Sequence, residues 1–257
     1  MKRILSLLGI LVCLAAPLAG AQESPPETMF VSVTYVKVTP GMEQAFASAM
    51  SSHLDWHKNV SMDEHYYTVS SIMTGPRTGQ YAFSAGPLTG EQMDAADAFS
   101  EKDLADWAAQ GGIAYIESVE TVIMRTLPGL GNPPPPDYEP KMVHLVEIDL
   151  ALGRAQEFME ALRKMDEAEK QVGASDSYSA FTAVASGDSF TKRFIVNWVD
   201  GWGDDGGEDP EQQKKVAEAL GGEEAMQALM EQITRAVRSN SVTTFRVLKQ
   251  FSHWPSQ

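Results

Sequence analysis

The alternation of apolar and polar positions lays out a short list of elements, and the list runs through twice. Residues 30–38 (FVSVTYVKV) are rich in β-branched and aromatic side chains and read as a strand. Thr39-Pro40-Gly41 turns the chain, and Ala45, Phe46, Ala49, Met50 and Leu54 then recur at helical spacing over Met42 to Asn59. Strands are expected at His65–Met73 and Gln80–Ala85, around the turn TGPRTG. Residues 90–110 read as helix in two pieces, with Ser100 capping the second and Gly111-Gly112 ending it, and Ser118–Thr126 closes the series as a strand.

The same order returns further on. Met142–Leu150 reads as strand, Arg154–Gln171 as helix with Phe158, Leu162 and Met165 inward, and Ser177–Ala185 and Lys192–Val199 as strands. Helices broken at Gly221-Gly222 fill 210–239, and Ser241–Phe251 is the last strand. The match extends to residues: Gly41, Phe46, Tyr66 and Gly75 recur as Gly153, Phe158, Tyr178 and Gly187, an offset of 112 positions. A repeat of this length implies that each copy is one foldable unit. We therefore expect a first unit over 30–127, a proline-rich linker over 128–141 containing Pro133 to Pro136, a second unit over 142–251, and a tail over 252–257.

Each unit has the order β-α-β-β-α-β, the split βαβ or ferredoxin-like plait, giving an α+β fold. A lone plait leaves one sheet face bare, and two fused copies can cover each other. In element order, in the repeat and in the pattern Val36-x-x-x-Pro40-Gly41-x4-Phe46, the chain resembles the tandem dimeric α/β-barrel superfamily. Its nearest branches by that pattern are the antibiotic-biosynthesis monooxygenase and NIPSNAP-like domains. The resemblance implies two plaits packed sheet to sheet as a pseudo-dimeric barrel. It also implies a ligand held against a sheet; some members are cofactor-independent oxygenases of aromatic molecules.

The start of the chain has the form of a signal peptide over 1–21: Lys2 and Arg3, an apolar run from Ile4 to Leu18, and Ala19-Gly20-Ala21 as the small-residue cleavage site. It is followed by a polar lead-in over 22–29, expected to be disordered. The expected location is periplasmic or extracellular. Cys13 is the only cysteine and lies inside this segment, so a processed chain has neither disulfides nor thiolate chemistry. Without Lys2 and Arg3 the formal charge moves from −15 to −17. Such acidity opposes nucleic acids and anionic membranes as partners and suits an acidic protein soluble after signal cleavage.

Candidate chemistry comes from polar side chains in apolar strands. Strand alternation aims Val143, Leu145, Glu147 and Asp149 at the other unit, with Val31, Val33, Tyr35 and Lys37 as their counterparts, and sends His144, Val146, Ile148 and Leu150 toward the helices. Tyr35, Tyr66, Tyr178, Asn197 and Trp198 are the candidate ligand-pocket residues, with His144 or Glu147 as catalytic proton acceptor. The alternative is that these groups satisfy one another across the interface. His53 and His57 share a helical face, and His65 follows, a set of candidate metal ligands. The acidic stretch 200–209 lacks the oxygen-ligand spacing of a calcium loop.

No glycine-rich phosphate loop, GxSxG elbow or HExxH motif is present. No cofactor is expected from motifs, with haem or a divalent metal at the histidines left open. Taken together, the residues favour binding or turnover of a small hydrophobic molecule, apolar or aromatic, and the resemblance implies that such turnover would be monooxygenase-like. A noncatalytic exported scaffold and a histidine-metal or haem protein are the alternatives.

Overall fold

The computed structural model describes residues 28–60, 67–135, 138–173, 177–185, 191–203 and 209–252. The expected signal peptide, most of the lead-in, His65 and Tyr66 lie outside them.

The first unit comprises β1 (Phe30–Val38), α1 (Glu43–Asn59), β2 (Tyr67–Ile72), β3 (Tyr81–Leu88), α2 (Gly90–Ala109) and β4 (Ile116–Asn132). The second comprises β5 (Met142–Leu150), α3 (Ala155–Gln171), β6 (Tyr178–Ala185), β7 (Lys192–Val199), α4 (Pro210–Leu220), α5 (Glu223–Ala236) and β8 (Val237–Val247). Within each unit the antiparallel order is that of the plait, β4-β1-β3-β2 and β8-β5-β7-β6. The two sheets also join at their edges, β2 to β8 and β4 to β6, into one closed eight-stranded barrel. The fold is α+β, two ferredoxin-like units forming a pseudo-dimeric barrel, and closure leaves no sheet edge bare.

Alternation decides what each face meets. Val33, Tyr35, Ile72, Ala82, Val122 and Met124 of the first unit meet Leu145, Phe181, Ala183, Phe194 and Phe245 of the second inside the barrel. The opposite faces carry the helices. Ile148, Leu150 and Ala180 pack against Phe158, Met159 and Leu162 of α3, and Val36, Val38 and Val69 pack against Phe46 and Met50 of α1.

Three boundaries differ from expectation, each for a local reason. α2 is one continuous helix: Thr89 forms a capping box with Gln92 at its start, while the Ser100 hydroxyl donates to the Asp97 carbonyl and caps nothing. β4 runs through Asn132, past the 127/128 boundary, because Thr126, Gly131 and Asn132 pair with Phe181, Ser179 and Tyr178 of β6. This junction requires a glycine: Gly131 has φ +96°, and a Cβ there would sit 2.4 Å from the Tyr178 carbonyl oxygen. β8 begins at Val237, opposite Leu150. It ends at Val247, before a 3₁₀ turn whose following residue, Ser252, accepts the Val69 N–H at 3.0 Å.

Candidate functional site

The site forms at a difference between the two copies. In the second unit α4 and α5 seat Val216, Ala217, Leu229 and Ala236 in buried positions and pack against α3. In the first unit α2 has no buried residue. It stands away from the sheet and roofs a cavity of about 690 Å³. Ser32, Thr34 and Val36 of β1, Phe83 and Ala85 of β3 and Ser118 of β4 line one side. Ala96, Phe99, Ser100, Asp103, Leu104 and Trp107 of α2 line the other, a stripe at helical spacing. The walls are mainly apolar, and Leu104 and Val119 remain more than half exposed where the cavity opens.

The polar end of the cavity is held by α1. His53 and His57, one turn apart, bring their Nε2 atoms within 3.1 Å of each other. Asp103 crosses from α2 with Oδ1 at 3.2 Å from His53 Nε2 and 2.9 Å from His57 Nε2. Those distances suit ion pairs, yet Asp103 Oδ1 is buried without a correctly aimed N–H, and His57 Nδ1 is buried without a hydrogen bond. On the far side of the His53 ring, Nδ1 meets Asp106 Oδ2 at 2.8 Å.

Aromatic rings enclose the group. Trp56 stacks on His53 at 5.6 Å, the Trp107 centroid lies 5.1 Å from His53, and that of Tyr67 lies 5.1 Å from His57. Burial opposes ionisation of Asp103, but the two imidazoles outweigh it and hold the carboxyl far below the usual carboxylate range. Burial likewise opposes protonation of His53, and Asp103 and Asp106 more than offset it, so its pKa is raised. The Tyr67 phenol is pushed up by burial and then by the Asp103 charge.

The remaining candidate residues do not converge here. Tyr35, Glu147 and Trp198 lie on the barrel-facing side of their strands, whereas His144, Asn197 and Tyr178 are cross-strand neighbours on the helix-facing side of the second unit. None of the six lines the first-unit cavity. The expectation of one pocket built from them is corrected by strand parity, which sends them to opposite faces of one sheet.

Their contacts are structural. The Arg77 guanidinium lies 4.2 Å from the Tyr35 ring centre and pairs with Glu120 at 2.7 Å. Glu147 accepts from Lys192 at 2.6 Å. Tyr178 donates to Asp166 at 2.6 Å. His144 is buried, with Nε2 unpaired and Trp202 edge-on at 6.2 Å.

Sequence reasoning found His53 and His57 and missed Asp103, Asp106, Phe99 and Trp107. The available signal was Phe99-x3-Asp103-x3-Trp107, three cavity-facing positions one turn apart on a helix with little other amphipathic character.

No family model matches the sequence, and no curated protein matches it. Solved structures match the fold, which is that of the dimeric α/β-barrel proteins. A "putative monooxygenase" from Lactobacillus acidophilus superposes with a TM-score of 0.52 at 9% identity, over 86% of this chain and 94% of that one. Another so described, from Fusobacterium nucleatum, gives 0.55 at 10% identity, over 86% and 93%. A mutant chlorite dismutase from Candidatus Nitrospira defluvii gives 0.52 at 5% identity, over 88% and 94%.

Proposed function

We propose that this protein binds a small apolar or aromatic molecule in the first-unit cavity and presents it to the His53–His57–Asp103 group for turnover. The observation that carries this is an apolar space of about 690 Å³ that ends in three converging polar atoms. That volume falls within the roughly 300–1,000 Å³ range of small-molecule sites, which are mostly apolar with few placed polar groups. Two neighbours of the same fold carry the description "putative monooxygenase", which makes oxygenation of such a ligand the first reaction class to test. The chain acts after export through the segment 1–21. Among the described residues no helix is long and apolar enough to cross a membrane.

A scaffold role accounts for the filled barrel interior but not for a helix held off its sheet. Native mass spectrometry of the purified protein, with an environment-sensitive dye such as anilinonaphthalene sulfonate as probe, tests the reading. A retained apolar molecule, or saturable dye binding competed by small aromatics, is expected. A clean apo mass together with no saturable dye binding would refute it.

A further inference from the structure

The three polar atoms at the end of the cavity are arranged poorly for bonding one another and well for bonding a common centre. His53 Nε2, His57 Nε2 and Asp103 Oδ1 form a triangle with sides of 3.1, 3.2 and 2.9 Å. As hydrogen-bonding groups they leave needs unmet. Asp103 Oδ1 is buried with no N–H aimed along its lone pairs and His57 Nδ1 is buried without a partner, while the two Nε2 atoms can share only one proton between them.

A metal ion about 2.1 Å from each corner of that triangle would see its ligands separated by angles of about 87–99°. That is nearer the face of an octahedron than a tetrahedron, so further coordination positions stay open on the side away from the protein ligands. Asp106 completes the arrangement. Its carboxylate accepts a hydrogen bond from His53 Nδ1–H, and in that tautomer Nε2 carries a lone pair directed at the shared point. A haem would use one imidazole as axial ligand and strand the other beside a carboxylate; this donor set suits a free ion.

We infer that His53, His57 and Asp103 hold a divalent transition-metal ion on the wall of the cavity, with Asp106 as the residue that positions His53. The open coordination positions face the apolar cavity and take an oxygen donor, from water or from the bound molecule. The assignment rests on the first-unit cavity being the binding site. Metal binding is measured without any organic ligand, so the two readings can fail separately.

The test is titration of the purified, tag-free, chelator-treated chain with Co²⁺, read by metal analysis after equilibrium dialysis and by tryptophan emission. One ion per chain is expected, at micromolar or tighter affinity. Asp103→Asn and His57→Gln should each weaken binding by at least tenfold, and Asp106→Asn by roughly 10–100-fold, as for carboxylates behind ligating histidines. Asp200→Asn, in the acidic stretch on the other unit, should leave it unchanged.

Tryptophan emission guards against variants that fail to fold. Trp56 and Trp107 lie within 5.6 Å of the His53 ring, so Co²⁺ should quench wild-type emission with one-to-one saturation. Trp56→Phe combined with Trp107→Phe should remove most of that quenching. No binding by the wild type below about 100 μM, affinity unchanged in Asp103→Asn and His57→Gln, or quenching that survives the double tryptophan change would overturn the assignment.

Discussion

The asymmetry between the two copies can be tested by adding the same side chain to the same face of each sheet. Ala85 of β3 lines the first-unit cavity. Ala180 of β6 is 2% exposed and packs between its sheet and α3. A phenylalanine ring placed at 85 enters open apolar space. Burying such a side chain is worth about 1.5–3 kcal/mol at most, and a ring left partly wet gains roughly half of that. The same ring at 180 enters a filled core, where overpacking costs about 1–3 kcal/mol. Both positions are in strands, where phenylalanine is favoured over alanine, so intrinsic preference does not separate them.

Ala85→Phe should therefore be neutral or stabilising by about 1 kcal/mol, and Ala180→Phe destabilising by about 1–3 kcal/mol. At about 2–4 °C per kcal/mol for a chain of this size, the melting temperatures of the two variants should differ by roughly 2–16 °C. Thermal and urea melts measure both. Dye titration supplies the functional half: Ala85→Phe should weaken saturable binding by about tenfold, the loss of ~1.4 kcal/mol. Equal destabilisation by the two changes would mean that α2 rests on its sheet in solution, and the cavity would have to be abandoned.

Other perturbations probe the frame around the site. Asp166 is 3% exposed and accepts from the Gly131 N–H, the Tyr178 hydroxyl and Lys170. Asp166→Ala leaves the buried Gly131 N–H and the half-buried Tyr178 hydroxyl unmet and should cost about 2–4 kcal/mol in urea unfolding, while Co²⁺ affinity stays unchanged. Gly131→Ala combines the unfavourable φ with the clash against β6 and should lower stability by about 2 kcal/mol or more by the same assay.

Burial pushes the Tyr35 phenol up to about 12, with Arg77 opposing the shift. A raised folded pKa means that its contribution is complete below pH 10 and is lost as pH rises from about 10 to 12. Wild type should therefore lose about 2–3 kcal/mol more than Tyr35→Phe over that interval, followed by urea melts at each pH. Parallel curves would refute the assignment.

Much of the fold was legible because its signals are local. Alternation in FVSVTYVKV and MVHLVEIDL set both faces of β1 and β5, and Gly221-Gly222 broke the second unit's helical stretch where α4 and α5 divide. What sequence could not carry was pairing at the unit edges. β4 continues to Asn132 only because β6 offers a ladder there, and nothing within Leu127–Asn132 announces it. The pocket expected from Tyr35, His144, Glu147 and Asn197 fails for another reason. Alternation already separated His144 from Glu147, and grouping them by chemistry overrode the geometry that the strand had specified.

The His53–His57 pair shows how far a motif reaches and where tertiary structure takes over. Two histidines one turn apart establish a shared face, but a third donor was sought nearby in sequence, at His65, which lies outside the described residues. Asp103 comes from a helix some fifty residues later, and it reaches the pair only because α2 is held above the sheet. In the second copy, Met165 and Glu169 stand at the offset positions of the two histidines, and Asp166 spends its carboxylate on Gly131 and Tyr178. One copy thus uses its helix face to close the core, whereas the other leaves that core open and places polar atoms at its end. Fused duplication permits such a division: the barrel interior, filled by both units, keeps the first sheet in place while one of its covering helices stands off.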